Sequence, residues 1–481
     1  MFQKLFSDTF IYSIPTILNR LIGIIFSIFL IRYLGPESFA SIELLALTLI
    51  FLERVLSLEI NRGFGREISD QNMDKISQFV NTYLSFLFLT GIIFGLILFL
   101  VPNIYLEKLL SINLDLNFLI LFFILVLINL FYLKILEVFR WALFPITYSL
   151  ISFGGTFLTS LLSFILIFFY EKTIESFVLG QLLGQAFFLI VGLFLLSKEF
   201  NLRFFIDLDK LKSMLSFSYP ILIFLILLYF LNYSDRWILS YFYESREVGI
   251  YSGIYRLTSI LSIALLGSRL AFTPIALKYA KSKSEFSSIF HFIIFSLASL
   301  SLVISAFSKQ LTLVLLGDDY TDASYILPFL LMAKIGFTAF IFSPGLEINK
   351  ETKKMIYISL FPLIFGGITT FFLTRQYGVI GTSVGTCISS FLFIFLCLFL
   401  NQKTGIVKYN WKGFLKVSLI YFFSVTSLII LDIILVKLLI LSLSIVLFWK
   451  VLFTENEKKT LFNALKEIKS MISGYAKRHS N

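Results

Sequence analysis

The stretch TFIYSIPTILNRLIGIIFSIFLI, Thr9–Ile31, decides the fold class, because it is apolar along its length and carries Arg20 near its middle. A helix that crosses a bilayer needs about 20 mostly apolar residues. A guanidinium at that depth costs at least ~2.5 kcal/mol, so it faces a protein interior or a water-filled cavity and marks a path for a substrate or ion. The run is longer than a signal-peptide core and has no small-residue cleavage site, so it is expected to stay in the mature chain.

Thirteen further runs of similar length follow, the last at 433–452. With 58% hydrophobic and 14% charged residues, the 481-residue chain is an all-α polytopic membrane protein of about 14 transmembrane helices. Arg256 and Arg269 fall within Gly249–Ile275, and Lys334 within Ala323–Phe342. A cationic interior points to an anionic cargo. Cys387 and Cys397 share one predicted helix, about 15 Å apart along it, and cannot form a disulfide. The two histidines, His291 and His479, lie far apart in the sequence, and no metal site or cofactor is expected.

The loops orient the chain. With the N-terminus in the cytoplasm, one side collects Arg62, Arg66 and Lys75, then Lys198, Arg203, Lys210 and Lys212, then Lys278, Lys281 and Lys283. The other side is sparse in basic residues, which places both termini in the cytoplasm. Its longest segments, Pro102–Asp115 and Ser308–Asp322, leave no room for an outer catalytic domain, so an enzyme of polysaccharide assembly is disfavoured.

The polar segment 197–213 divides two six-span halves, 1–196 and 214–401. Two more spans (402–453) and a tail (454–481) follow. Leu202, Phe205, Ile206 and Leu211 among Arg203, Asp207, Lys210 and Lys212 predict an amphipathic helix on the inner surface; the lysine-rich tail predicts another. Gly180/Gly184 in the sixth span and Gly381/Gly385 in the twelfth form matched GxxxG faces for close helix packing. An even number of spans per half makes the repeats parallel, with the cargo site between them.

Glu43 and Arg54 lie on nearly the same face of span two and are candidates for cavity lining or coupling. Asp235 is a further coupling candidate, although Asp235-Arg236 at the outer end of span seven reads first as an interfacial salt bridge. Arg20, Arg256, Arg269 and Lys334 are the substrate-binding candidates.

The segments Tyr33-Leu-Gly-Pro-Glu-Ser-Phe-Ala40, Gly63–Glu67, Asp235-Arg236 with Val248-Gly-Ile-Tyr-Ser252, and Tyr377-Gly-Val-Ile-Gly381 carry a resemblance over nearly the whole chain. In combination they resemble the flippases for lipid-linked polysaccharide repeat units. That family belongs to the superfamily of multidrug-and-toxin extruders (MATE) and lipid II flippases. The resemblance implies two six-helix bundles opening alternately to each side of an inner bacterial membrane. The implied cargo is an undecaprenyl-pyrophosphate-linked oligosaccharide for O-antigen or capsule synthesis. A pyrophosphate suits buried arginines through charge-assisted, bidentate hydrogen bonds. Membrane lipid, a polysaccharide polymerase and a chain-length regulator are the implied partners; nucleic acid is not. Proton or sodium coupling is the implied energy source. The alternatives are a flippase for lipid II or a teichoic-acid-type lipid, and an antiporter for drugs or small solutes.

Overall fold

The computed structural model describes residues 2–69, 73–100, 115–263, 283–339, 353–405, 409–431 and 433–455, with positions 71, 107, 346, 457 and 458 beside them. The chain order is α1 (Phe2–Ser57), α2 (Ile60–Ile68), α3 (Met73–Leu100), α4 (Leu116–Trp141), α5 (Pro145–Ile165), α6 (Ile174–Glu199), α7 (Leu208–Phe242) and α8 (Ser245–Leu257). Then come α9 (Lys283–Ala306), α10 (Ser308–Leu315), a 3-10 segment (Asp318–Ile326), α11 (Leu327–Ala339), α12 (Lys353–Lys403), α13 (Trp411–Ile430) and α14 (Ile434–Leu452).

Ten segments among the described residues are long and apolar enough to span a membrane. Two of them, Pro15–Ser57 and Lys354–Lys403, would reach about 65–75 Å if straight, twice the hydrocarbon thickness. Each holds a glycine with left-handed backbone, Gly35 at φ 78° and Gly378 at φ 56°. Only glycine takes that conformation without penalty, and Pro36 cannot donate the next helical hydrogen bond. Each long helix is therefore two crossings joined at a glycine bend. These segments supply twelve of the about fourteen expected crossings; the other two expected runs, 249–275 and 323–342, lie partly outside the described residues.

Local chemistry sets the helix starts. Asp115 accepts from the Phe118 N–H at 2.8 Å, Asn410 from Gly413 at 2.9 Å, and Asp207 from Asp209 and Lys210, both at 3.1 Å. The matched glycine pairs sit at equivalent helix contacts in the two halves. A Cβ on Gly180 or Gly184 would lie 2.4 or 2.5 Å from the Ser163 N and Cα or the Thr159 Cα of α5. One on Gly385 would meet Thr370 Cα at 2.5 Å, and one on Gly381 the Leu373 carbonyl at 1.9 Å.

The linker differs from expectation. Residues 201–207 form no helix but run extended along α3. The N–H groups of Arg203, Phe205 and Asp207 donate to Asn81 Oδ1, Ser85 Oγ and Thr82 Oγ1 at 3.0, 3.0 and 3.2 Å. Asn81 Nδ2 returns a bond to the Asn201 carbonyl at 2.9 Å. Side chains of α3 replace the helical partners of these amides, and so remove the need for a helix. The expected tail helix lies mostly outside the described residues.

The two last helices dock on the second half. Ser424 and Ser444 bond at 2.7 Å between α13 and α14, and Ser301 of α9 bonds Tyr421 of α13. Asn410 N–H donates to His291 Nε2 at 3.3 Å, so Nδ1 carries the proton shared with Glu457 Oε1 at 2.9 Å. Burial would raise the Glu457 carboxyl, but the Thr454 N–H and His291 outweigh it and hold the group below its ordinary range.

Candidate functional site

The halves meet along α1, α7 and α8, and their charges meet there too. At one end of the seam the bend of α1 lies against α8: a Cβ on Gly249 would stand 1.7 Å from the Pro36 carbonyl oxygen. Arg246 adds a bond to Asp319 at 3.2 Å and lies 3.9 Å from Glu37. At the other end the Gly63 N–H of α2 donates to Ser218 Oγ of α7 at 3.0 Å, and the Arg66 guanidinium sits 4.7 Å from the Phe217 ring centre.

Between these closures lies a buried charge cluster. Glu43 is about 12 Å along the helix from Gly35, Asp235 about 10 Å from the end of α7, and Arg256 about 16 Å from the start of α8. Arg256 Nη2 donates to Glu43 Oε2 at 2.5 Å, from the second half to the first. Glu43 is 5% exposed at its side chain and Arg256 is 39%. Arg236 Nε lies 3.9 Å from Glu43 Oε1, and Arg236 Nη1 donates to Asp235 Oδ1 at 2.9 Å. The other Asp235 oxygen accepts from Tyr251 Oη at 2.6 Å and Thr386 Oγ1 at 3.2 Å. Arg236 is fully buried, with Nε and Nη2 making no hydrogen bond and its guanidinium 3.8 Å from the Tyr255 ring centre. A cation over an aromatic face is stabilised by the ring quadrupole.

The sequence candidates fall at three places. Arg256, Glu43 and Asp235 join in this cluster, and Lys334 reaches it through the Tyr255 ring, 5.4 Å from Nζ. Arg20 stands further inward, bonding the Ser262 carbonyl at 3.4 Å and within electrostatic reach of Lys334. Arg54 lies three turns along α1 from Glu43, about 16 Å. It reaches the Leu225 carbonyl at 3.4 Å and lies 3.7 Å from Glu59, because the inner end of α1 packs on α7 and offers those acceptors first. Arg269 lies outside the described residues.

Two features escaped the sequence. Asp235-Arg236 is not an interfacial pair: Arg236 is the largest fully buried side chain among the described residues, because α7 turns that face toward Glu43 and the tyrosines of α8. The aromatic residues Tyr233, Tyr251 and Tyr255 around it were the available signal. Lys134 is the second: it is buried in an ion pair with Glu53 inside the first half. Among the described residues no three His, Cys, Asp or Glu side chains gather to hold a metal ion.

The family model described as "Polysaccharide biosynthesis protein" matches residues 5–279. No curated protein matches the sequence significantly. The structure is similar to that of the lipid II flippase MurJ in an inward closed conformation, with TM-score 0.73 and 14% identity over 92% of this chain and 98% of that one. It is also similar to an inward-facing multidrug resistance MATE family transporter of the MOP superfamily, with TM-score 0.62 and 14% identity over 80% and 95%. An outward-facing structure of such a transporter gives 0.54 and 16% over 82% and 95%. These likenesses fix the architecture: two six-helix bundles of the MurJ and MATE type, followed here by two further helices.

Proposed function

The chain belongs to the polysaccharide biosynthesis protein family, and from that premise we propose that it is a flippase. It carries undecaprenyl-pyrophosphate-linked oligosaccharides from the cytoplasmic to the outer leaflet of the inner membrane, for O-antigen or capsule synthesis. The observation that carries this reading is the cationic seam. Arg20, Arg236, Arg256 and Lys334 outnumber Glu43 and Asp235 where the two halves meet, and Arg256 keeps 39% of its side chain exposed there. A diphosphate brings the negative charge that such a seam lacks and accepts forked donors. An extruder of cationic drugs would meet repulsion at the same place.

The mechanism follows from the closures. Loading from the cytoplasm parts the Gly63–Ser218 contact between α2 and α7. Delivery outward parts the Pro36–Gly249 contact and the approach of Arg246 to Glu37. The polyprenyl tail stays in lipid, and α13–α14 offer it an added apolar flank. The protein makes and breaks no covalent bond of its cargo. Proton or sodium coupling supplies the direction, both termini face the cytoplasm, and a polymerase and chain-length regulator take up the cargo at the outer leaflet.

The test is reconstitution into vesicles holding undecaprenyl-pyrophosphate-linked N-acetylglucosamine, with sugar exposure followed by lectin binding. Translocation by the wild type and not by Arg256→Ala is expected. A protein that moves a cationic dye and leaves the pyrophosphate lipid in place would overturn the reading.

A further inference from the structure

Arg256 is already occupied. Its Nη2 holds Glu43 Oε2 at 2.5 Å, while its buried Nε makes no hydrogen bond and 39% of the side chain is exposed. Glu43 also lies 3.9 Å from the buried Arg236, whose own carboxylate partner is Asp235. Asp235 is saturated by donors of the second half: Arg236, Tyr251 and Thr386. Glu43 differs in kind. It belongs to α1, and its ion-pair partners Arg236 and Arg256 belong to the other half.

We propose that Glu43 is a built-in stand-in for the cargo's pyrophosphate, holding Arg256 between transport cycles and yielding it when the headgroup arrives. The inference rests on the flippase reading above and names the positioning residue within it. A carboxylate offers two oxygens to a guanidinium and a diphosphate offers several, so the cargo wins the exchange once it is close. The exchange has a second effect. The Glu43–Arg256 bond spans the seam, and its transfer to the cargo removes one attachment between the halves at the moment the site is filled. An empty transporter therefore stays shut, and a loaded one is released to rock. Glu43 also spares the empty site an uncompensated buried charge, which is strongly destabilising.

The experiment uses the full-length protein purified in detergent and undecaprenyl pyrophosphate as the probe, with retention measured by native mass spectrometry. Glu43→Gln keeps the shape and removes the competing charge. It should bind the lipid about two- to fivefold more tightly, the worth of one partly exposed ion pair, while sugar translocation in vesicles falls. Glu43→Asp, which keeps the charge but draws it back from Arg256, should fall between wild type and Gln, and it decides the matter if the Gln variant does not fold. A wild type that retains the lipid, with Gln and Asp variants that retain it no more tightly, overturns this inference and leaves the flippase reading standing. A wild type that fails to retain the lipid removes both.

Discussion

Pro36 and Gly249 meet backbone to backbone across the seam, so closely that a Cβ on Gly249 would stand 1.7 Å from the Pro36 carbonyl oxygen. Neither atom belongs to a flexible side chain, so Gly249→Val must push the outer ends of α1 and α8 apart. Ser41, buried nearby on α1, gives the readout. A cysteine at 41 should resist an impermeant thiol reagent in the wild-type background and react in the Gly249→Val background. Equal protection in both would mean the seam absorbs the side chain elsewhere.

Arg236 and Arg256 are both cations of the cluster, yet their loss should have opposite signatures. Arg236 is fully buried beside Asp235, and removing it strands a buried carboxylate at a cost of ~3–5 kcal/mol. Arg236→Ala should therefore give little monodisperse protein. Arg256→Ala removes a partly exposed cation and leaves Glu43 with Arg236 3.9 Å away, so it should keep near-normal yield and lose export of surface polysaccharide. Size-exclusion profiles beside export assays separate the two, and matching profiles would contradict the assignment.

Arg20 stands further inward, bonding the Ser262 carbonyl across the seam. Arg20→Ala should abolish export with the protein still inserted, and Arg20→Lys should restore only part of it, since an ammonium lacks the planar fork of donors. Full rescue by lysine would reduce the requirement to charge alone.

The glycine pairs test the repeat. Leucine at Gly180, Gly184, Gly381 or Gly385 drives a side chain into the helix it packs against, and should lower folded yield more than transport per molecule. Normal yield with lost transport would put these faces on the cargo path.

Topology is tested by cysteines at Lys210 and Asp318. On cells freed of any outer barrier, position 318 should react with an impermeant reagent and position 210 should not. The reverse pattern would invert every inside and outside assignment made from the loops.

The crossings and the cationic interior were legible because both are local: a run of apolar residues and a charge at its middle need no partner to be read. Arg20, Arg256 and Lys334 were found that way. Their partners were not, since Glu43 and Arg256 are brought together by packing between halves, and no spacing rule links positions 213 apart. Arg236 was misread because a charge near a helix end ordinarily snorkels to water, and only the tertiary placement of Tyr251 and Tyr255 shows that this one does not. The linker failed for a related reason: alternating Leu202, Arg203, Phe205 and Ile206 suit a surface helix or an extended strand equally, and α3 decided between them.

That linker distributes mutational tolerance in an unusual way. Its pinned positions, Arg203, Phe205 and Asp207, contribute only backbone amides to the attachment, whereas Asn81, Thr82 and Ser85 contribute side chains. The tether's shape is thus encoded on the helix beneath it. Residues 203 and 205 are free to drift in identity, proline excepted, while a single change at Asn81 slackens the leash. A leash without slack also keeps each half beside its own partner, which disfavours the exchange of halves between neighbouring copies in a crowded membrane.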